Sequence, residues 1–185
     1  DFIRNIFNVN LNIEFKEITE NLSEIIRFNK IEYLWGYPSA IFEFLNYCNS
    51  ENKALLLKLK DSLKCAFFAS EFPVPSQRKF IENVIGVPTL SFYGHTETCI
   101  MACESEKYIF RPYQTYGLAE AIGFNGETHL VGTSYYNFAS PLIRYDTEDL
   151  ISITSLSNDL LNEFKIDQGR IGDFILDKNS FKISL

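Results

Sequence analysis

No stretch of the sequence approaches the ~20 apolar residues of a membrane span, and none has the pattern of a signal peptide. Basic residues are outnumbered: 17 Lys and Arg stand against 24 Asp and Glu, a formal net charge of −7. An acidic chain is a poor polyanion binder, which argues against a nucleic-acid polymer as partner. A single nucleotide remains open, because a metal ion and backbone N–H groups supply positive field locally. Cysteine is sparse as well. Cys48, Cys65, Cys99 and Cys103 have no dense disulfide spacing, and the expectation is reduced thiols in a cytoplasmic protein. There is no internal repeat and no low-complexity tract.

What is present is ordinary for a globular chain. It has 185 residues, 46% hydrophobic and 22% charged, long enough to bury about 70% of its unfolded surface. Aromatics reach 15%, with 17 Phe and 10 Tyr, which favours a packed core and aromatic-lined clefts over disorder. The chain starts at Asp1 without an initiator Met and ends at Leu185 in the strand-like run FKISL. Both ends look cut, so a fragment of a longer protein is expected.

Helical spacing of Ile18, Leu22, Ile25 and Ile26 predicts an amphipathic helix over 17–29. The apolar run IEYLWGY ends in a turn, and Pro38 suits the first turn of a helix striped by Ile41, Phe42, Leu45 and Cys48. Residues 53–60 extend that helical connection. LKCAFFAS, 63–70, reads as a buried strand. A helix over 77–85 turns Phe80, Ile81, Val84 and Ile85 inward and stops at Gly86. VPTLSFYG is the next strand. Strand and helix thus alternate from 31 to 94, the pattern of an α/β layer with parallel strands. From residue 98 onward successive strand-like runs follow, with Asn125-Gly126 a strong hairpin signal. The expected fold class is α/β: a parallel-sheet section followed by an antiparallel β section. Residues 157–167, SNDLLNEFKID, read as a surface connection, and 169–185 as a closing hairpin turning at Asp177 to Ser180.

Three constellations carry candidate chemistry. In Tyr93-Gly94-His95-Thr96-Glu97, a histidine, a hydroxyl and a carboxylate arrive just past a strand, where open α/β sheets place their ligands. Thr96 can donate to a phosphate oxygen. Glu97 can hold a hard cation such as Mg²⁺, which takes one or two protein carboxylates and completes its octahedron with water and phosphate. Gly94 removes the Cβ where a ligand approaches, and Tyr93 offers a ring face to a planar base. In PLIRYDTEDL, 141–150, Asp146, Glu148 and Asp149 bracket a hydroxyl, and an ionised carboxylate there could accept both hydroxyls of a ribose. In GRIGDFIL, Arg170 sits between two glycines and offers a fork for phosphate or sugar oxygens. Each also reads as a plain polar turn. His95, Cys99 and Cys103 fall four apart, a zinc spacing on a helix. The local pattern is strand-like, however, which spreads them by ~13 Å at each step and counts against zinc.

In their order these motifs resemble the core of the AMP-forming adenylating superfamily, which includes acyl- and aryl-CoA ligases. The likeness is carried by YGHTE at 93–97, LVGTSYYNFASPLIRYDTEDL at 130–150 and GRIGDFIL at 169–176, with weaker support from GYPSAI and FFASE. It is nearer to the phenylacetate–CoA ligase branch and, within it, to CapK-type capsular polysaccharide biosynthesis proteins. The resemblance implies that Ala69, Ser70 and Glu71 edge the adenine, that Tyr93 and Gly94 flank the base, and that Thr96 meets the α-phosphate. It implies further that Glu97 holds Mg²⁺, that Asp149 takes the ribose hydroxyls, and that Arg170 contacts the nucleotide. Residues 1–168 would belong to the large domain and 169–185 to the start of a mobile C-terminal lid, with Gly172 and Asp173 at the hinge. Trp35, Tyr37, Phe67 and Phe68 are candidates for an acyl or aryl pocket, with His95 beside it. There are departures from the family pattern. Ser91 stands where an acid is common two residues before Tyr-Gly, and Asp146-Thr147-Glu148-Asp149 replaces the usual Arg-Thr-Gly-Asp.

The resemblance thus implies a carboxylate-activating ligase using ATP, Mg²⁺ and coenzyme A, with a small-molecule carboxylate as substrate and no assigned oligomeric state. The rival is a catalytically degenerate nucleotide-binding or scaffolding protein of the same fold, which the acids at 146 and 148 favour. The family's phosphate loop and lid lysine would lie upstream of Asp1 and downstream of Leu185. By itself this chain is therefore expected to release no pyrophosphate from ATP with a panel of carboxylates. Release above a boiled control would overturn that expectation.

Overall fold

Two prolines and two glycines set much of the chain's local geometry. In the computed structural model, which describes residues 6–10, 13–168, 174–176 and 182–184, Pro38 and Pro75 each open a helix at its first turn, where the missing N–H is not needed. The chain divides into two units, Asp1–Thr89 and Leu90–Leu185.

In the first unit the elements run α1 (Phe15–Ile25), β1 (Tyr33–Gly36), α2 (Pro38–Glu51), α3 (Lys53–Ser62), β2 (Cys65–Phe68) and α4 (Pro75–Ile85). β1 and β2 pair in parallel, with Leu34 opposite Ala66 and Trp35 opposite Phe67, as the alternation of strand and helix predicts. Alternate residues therefore face opposite ways. Ala66 and Phe68 join Ile41, Leu45, Cys48, Leu55, Leu59, Ile81 and Ile85 in the helix-side core. Phe68 is fully buried there, so it is a core residue and lines no acyl pocket. Burial pushes the Cys48 thiol up to about 12. α1 ends at Ile25, four residues short of the predicted end. The chain tightens there into three-residue hydrogen bonds, Arg27 N–H to Glu24 and Phe28 N–H to Ile25, and Phe28 points into solvent.

Gly86 closes α4 in the left-handed conformation, φ 74°. What the sequence pattern does not show is that α4 also buries a cation. Arg78 is 2% exposed. Its Nε donates to the Thr89 hydroxyl at 2.8 Å and its Nη2 to the Thr89 carbonyl at 2.9 Å. Thr89 in turn donates to Glu82 at 2.7 Å, and the guanidinium lies over the Phe68 ring. A buried charge is tolerable only when paired in this way. The network ties α4 to Thr89, the last residue of the first unit, where β3 (Thr89–Gly94) begins.

The second unit is antiparallel. Its strands are ordered β3, β4 (Met101–Glu106), β5 (Ile109–Pro112), β9 (Leu160–Gln168), β8 (Tyr145–Ser157), β7 (Glu127–Ser134) and β6 (Gly117–Phe124). Asn125 and Gly126, with φ 52° and 85°, form the predicted two-residue hairpin between β6 and β7. The expectation for 157–167 is wrong. From Leu160 the segment is strand β9, joined to β8 by a second two-residue turn in which Asn158 and Asp159 both have positive φ. Register shifts between β8 and β9 break the two-residue alternation. They leave Leu161 and Phe164 buried three residues apart, a spacing that does not read as a strand. A separate antiparallel pair, β10 (Phe174–Leu176) with β11 (Lys182–Ser184), matches the predicted closing hairpin. Arg170, Gly172 and Asp173 lie outside the described residues.

This sheet curls until the segment after β3 lies on β6 and β7. A Cβ at Gly117 would stand 1.9 Å from the Cys99 carbonyl oxygen, and one at Gly132 would stand 2.7 Å from Cys99 Cβ and Ile100 Cγ1. Ala119, opposite Gly132 in the register, and both Cys99 and Ile100 are buried. A Cβ at Gly123 meets nothing within 4 Å. Gly132→Ala is therefore expected to lower stability by about 1–3 kcal/mol through overpacking, and Gly117→Ala, which clashes with backbone, by more. Gly123→Ala should leave the unfolding free energy from a denaturant titration within about 0.5 kcal/mol of the parent. Equal midpoints for all three variants would disprove this packing.

Candidate functional site

β3 ends at Gly94, and the next four residues form a turn in which Thr98 N–H donates to the His95 carbonyl. Thr98 is in the left-handed region, φ 58°, a conformation that costs a non-glycine residue about 1 kcal/mol or more. The clash limits at Gly117 and Gly132 leave residues 99 and 100 no room to move inward, so the turn is presented at a fixed height above the curled sheet.

Glu97 is the centre of this turn. Its Oε2 lies 3.2 Å from His95 Nδ1 and accepts from the Thr96 hydroxyl at 3.2 Å. Its Oε1 accepts from the Tyr145 hydroxyl at 3.4 Å. The carboxylate is about a quarter exposed, and Thr96 is exposed beside it. A cleft of about 440 Å³ opens at this turn, lined by Thr96, Thr98, Tyr116, Tyr136 and Asn137. Gly94 is not required by the chain's own packing. A Cβ there would meet only the Ile100 carbonyl, at an ordinary 3.8 Å.

The second part of the site is a bulge. Between the pairs Val131–Asp146 and His129–Leu150, three residues of β8 face the single residue Leu130 of β7. Such a bulge re-aims the side chains it carries. Asp146 accepts from the Glu148 N–H at 2.9 Å, the Asp149 N–H donates to the Thr147 hydroxyl at 3.3 Å, and that hydroxyl donates to the Leu130 carbonyl at 2.9 Å. Asp149 is thereby turned inward, 8% exposed. It accepts a hydrogen bond from the Tyr93 hydroxyl at 2.5 Å. The turn at 93–97 and the acids of 146–149, distant in sequence, thus meet through Tyr93 and Asp149. The extra acids are accounted for separately. Asp146 lies 2.9 Å from His129 Nδ1, and Glu148 is exposed.

Other predicted residues have local partners. Glu71 accepts from the Ser39 N–H at 3.2 Å, placing a carboxylate at the N-terminus of α2 where the helix dipole favours it. Ala69 N–H donates to the Gly36 carbonyl, and Ser70 is an exposed left-handed residue, φ 67°. Trp35 and Phe67 lie on the face of the β1–β2 pair opposite the helices. Their ring centroids are 6.1 Å apart, and Tyr33 is 5.7 Å from Phe67. Trp35 is 72% exposed and Tyr37 is exposed as well. At Ser91, where the acid is missing, a carboxylate arrives from elsewhere: buried Glu104 accepts from the Ser91 N–H at 2.8 Å.

Among the described residues no group of three or more His, Cys, Asp and Glu side chains could hold a metal ion, so the zinc arrangement at His95, Cys99 and Cys103 does not form. All four cysteines are unpaired thiols. Burial first, and then the Glu97 charge, push the Cys99 thiol up, which disfavours the thiolate that zinc needs. The residues present fit a Mg²⁺ differently. One partly exposed carboxylate beside an open cleft suits an ion whose other ligands come from water and phosphate.

Tyr145, His129, Thr147, Tyr116 and Tyr136 were not predicted as site residues. Tyr145, His129 and Thr147 enter through cross-strand register and the bulge, and Tyr116 and Tyr136 through the cleft they line.

No family model matches the chain, and no curated protein matches it. Solved structures do. One is a 2-hydroxyisobutyryl-CoA ligase in its postadenylation state with an acyl-AMP, at TM-score 0.67 and 17% identity over 95% of this chain. Another is a malonyl-CoA ligase ternary product complex with methylmalonyl-CoA and AMP, at TM-score 0.52 and 18% identity over 90% of this chain. A third is MatB from Rhodopseudomonas palustris, at TM-score 0.52 and 14% identity over 92%. The fold is therefore that of part of these proteins. The chain spans about two fifths of the length of the solved structures it matches, 39% for the first two.

The bulge yields a prediction. Glu148 has φ 63° and stands where the related motif carries glycine. Relief of left-handed strain, about 1–2 kcal/mol, outweighs the added unfolded-state entropy of glycine, about 0.5–1 kcal/mol. Glu148→Gly should raise stability by about 0.5–1 kcal/mol in a denaturant titration, whereas a loss of stability would mean that Glu148 has a stabilising partner in the fold.

Proposed function

We propose that the chain is part of an AMP-forming ligase that activates a small carboxylic acid and passes it to the thiol of coenzyme A. The observation that carries this reading is the junction of Tyr93-Gly94-His95-Thr96-Glu97 with the bulged Asp149, in the fold shared with acyl-CoA ligases. The carboxylate oxygen of the substrate attacks the α-phosphorus of ATP, pyrophosphate leaves, and the acyl group then moves from AMP to sulfur. Little covalent chemistry falls to the protein, so catalysis rests on positioning and charge neutralisation.

Each residue has a role consistent with its geometry. Thr96, exposed at the cleft, donates to an α-phosphate oxygen. Asp149 accepts the ribose hydroxyls, and Gly94 leaves room for the base. Glu97 would hold Mg²⁺, which neutralises phosphate charge when bound; Thr96 and Tyr145 aim the carboxylate by donating to it. Ala69, Ser70 and Glu71 would edge the adenine, and Arg170 would contact the nucleotide. Trp35, Tyr37 and Phe67 offer an apolar, aromatic surface suited to an acyl or aryl group, with His95 proposed beside that group. Residues 169–185, with Gly172 and Asp173 at the hinge, would begin the lid. The motif order and His95 support the phenylacetate–CoA ligase-like branch and a CapK-type role in capsular polysaccharide biosynthesis, in the cytoplasm.

The degenerate nucleotide-binding reading draws on Asp146 and Glu148. Their influence is limited by His129 beside Asp146 and by the exposure of Glu148.

Glu97→Gln keeps the shape and removes the charge. In the full-length protein it should raise the Mg²⁺ concentration needed for half-maximal pyrophosphate release about tenfold or more, the effect of losing a charge-assisted contact. An unchanged Mg²⁺ requirement would return Glu97 to a polar turn.

A further inference from the structure

We infer that Tyr93 is a positioning residue: its hydroxyl serves the nucleotide by fixing the Asp149 carboxylate that takes the ribose. The inference rests on the nucleotide reading above and adds a second task, carried by the hydroxyl, to a residue proposed to flank the base.

The ring of Tyr93 is held from several sides. Phe164 meets it edge-on at 5.9 Å and 90°, Phe110 at 6.4 Å and 66°, and His95 at 6.0 Å and 70°. Phe110 and Phe164 are themselves fully buried and stacked at 5.8 Å. Edge-to-face packing of this kind locks a ring. β3 adds a second constraint: Tyr93 pairs with Ala102 of β4, and Ala102 is buried in the same cluster. The hydroxyl is therefore delivered to one place, and at that place stands Asp149.

Asp149 needs such a partner because its backbone sits in the bulge. The bulge is held by local bonds from its backbone N–H groups to the Thr147 hydroxyl and the Asp146 carboxylate and includes left-handed Glu148. Ladder pairing cannot fix the side chain of a bulged residue. A phenol can, since it donates to one carboxylate oxygen while the carboxylate keeps acceptor capacity for sugar hydroxyls. Tyr93 thus links the rigid aromatic core to the carboxylate and presets its orientation before nucleotide arrives. Tyr93→Phe removes the donor and keeps the ring.

The test compares AMP with 2′,3′-dideoxy-AMP by calorimetry, in the parent chain, Tyr93→Phe and Asp149→Asn, with far-ultraviolet dichroism to verify folding. The parent should prefer AMP. Tyr93→Phe should lower AMP affinity about tenfold, leave dideoxy-AMP affinity unchanged, and so collapse the preference towards that of Asp149→Asn. A double variant should bind like Asp149→Asn alone. If Tyr93→Phe keeps the parent's preference, or loses affinity for both nucleotides equally, Tyr93 does not act through the ribose and the inference is wrong. A parent chain that does not bind AMP, or does not distinguish the two nucleotides, overturns the ribose assignment of Asp149 itself, and the inference with it. Because a ring-preserving variant could still loosen the core, Leu161→Ala serves as a second probe. Leu161 is buried in the same cluster but makes no ring contact with Tyr93, so the variant weakens packing and should leave the nucleotide preference in place.

Discussion

The second unit depends on a steric exclusion. Residues 99 and 100 lie so close to β6 and β7 that no side chain fits at Gly117 or Gly132. Interiors at native density transmit such a constraint without slack. The segment cannot sink further, so the preceding turn must stay raised, and Thr96 lines the cleft with Glu97 beside it. The same approach packs Cys99 and Ile100 into the aromatic and aliphatic cluster that holds Tyr93. Closing the curled sheet and placing the turn are thus one event.

Electrostatics then finish what packing starts. Glu97 and Asp149 are the two acids on which the proposed chemistry turns, and each is met by a tyrosine hydroxyl, Tyr145 for Glu97 and Tyr93 for Asp149. A phenol stabilises a carboxylate without adding a positive charge. That suits a site in which a cation and a polyanion are to be exchanged, since a fixed guanidinium would compete for the same carboxylate. In the other unit, buried Arg78 has a different task. It bonds to Thr89, pairs with Glu82 and ties α4 to the end of its own unit.

Elements with clean local signals were legible in the sequence. Pro38, Gly86 and Asn125-Gly126 each dictate backbone geometry at their own position, and the structure follows them. The α/β section was legible because helix and strand periods alternate without interruption. β9 was not, because its hairpin uses Asn158-Asp159 without glycine and its bulges place Leu161 and Phe164 on a three-residue spacing. In the site, the cluster at 93–97 was visible as a motif. The contact between Tyr93 and Asp149, that between His129 and Asp146, and Tyr145 depend on register between strands far apart in sequence. Residue types alone do not encode register, and a bulge shifts it. Phe68 shows the complementary error: its neighbour Phe67 faces the other way, and one residue of strand phase separates core from open surface.

The central claim is that the turn after β3 and the bulge in β8 form one nucleotide site. The most direct measurement is an amide chemical-shift map of the isotope-labelled chain titrated with AMP. The account predicts saturable shifts concentrated at residues 94–98 and 146–150, with the amides of β10 and β11 unmoved by comparison. Shifts scattered over the acidic surface, or saturable shifts that spare both segments, would contradict it.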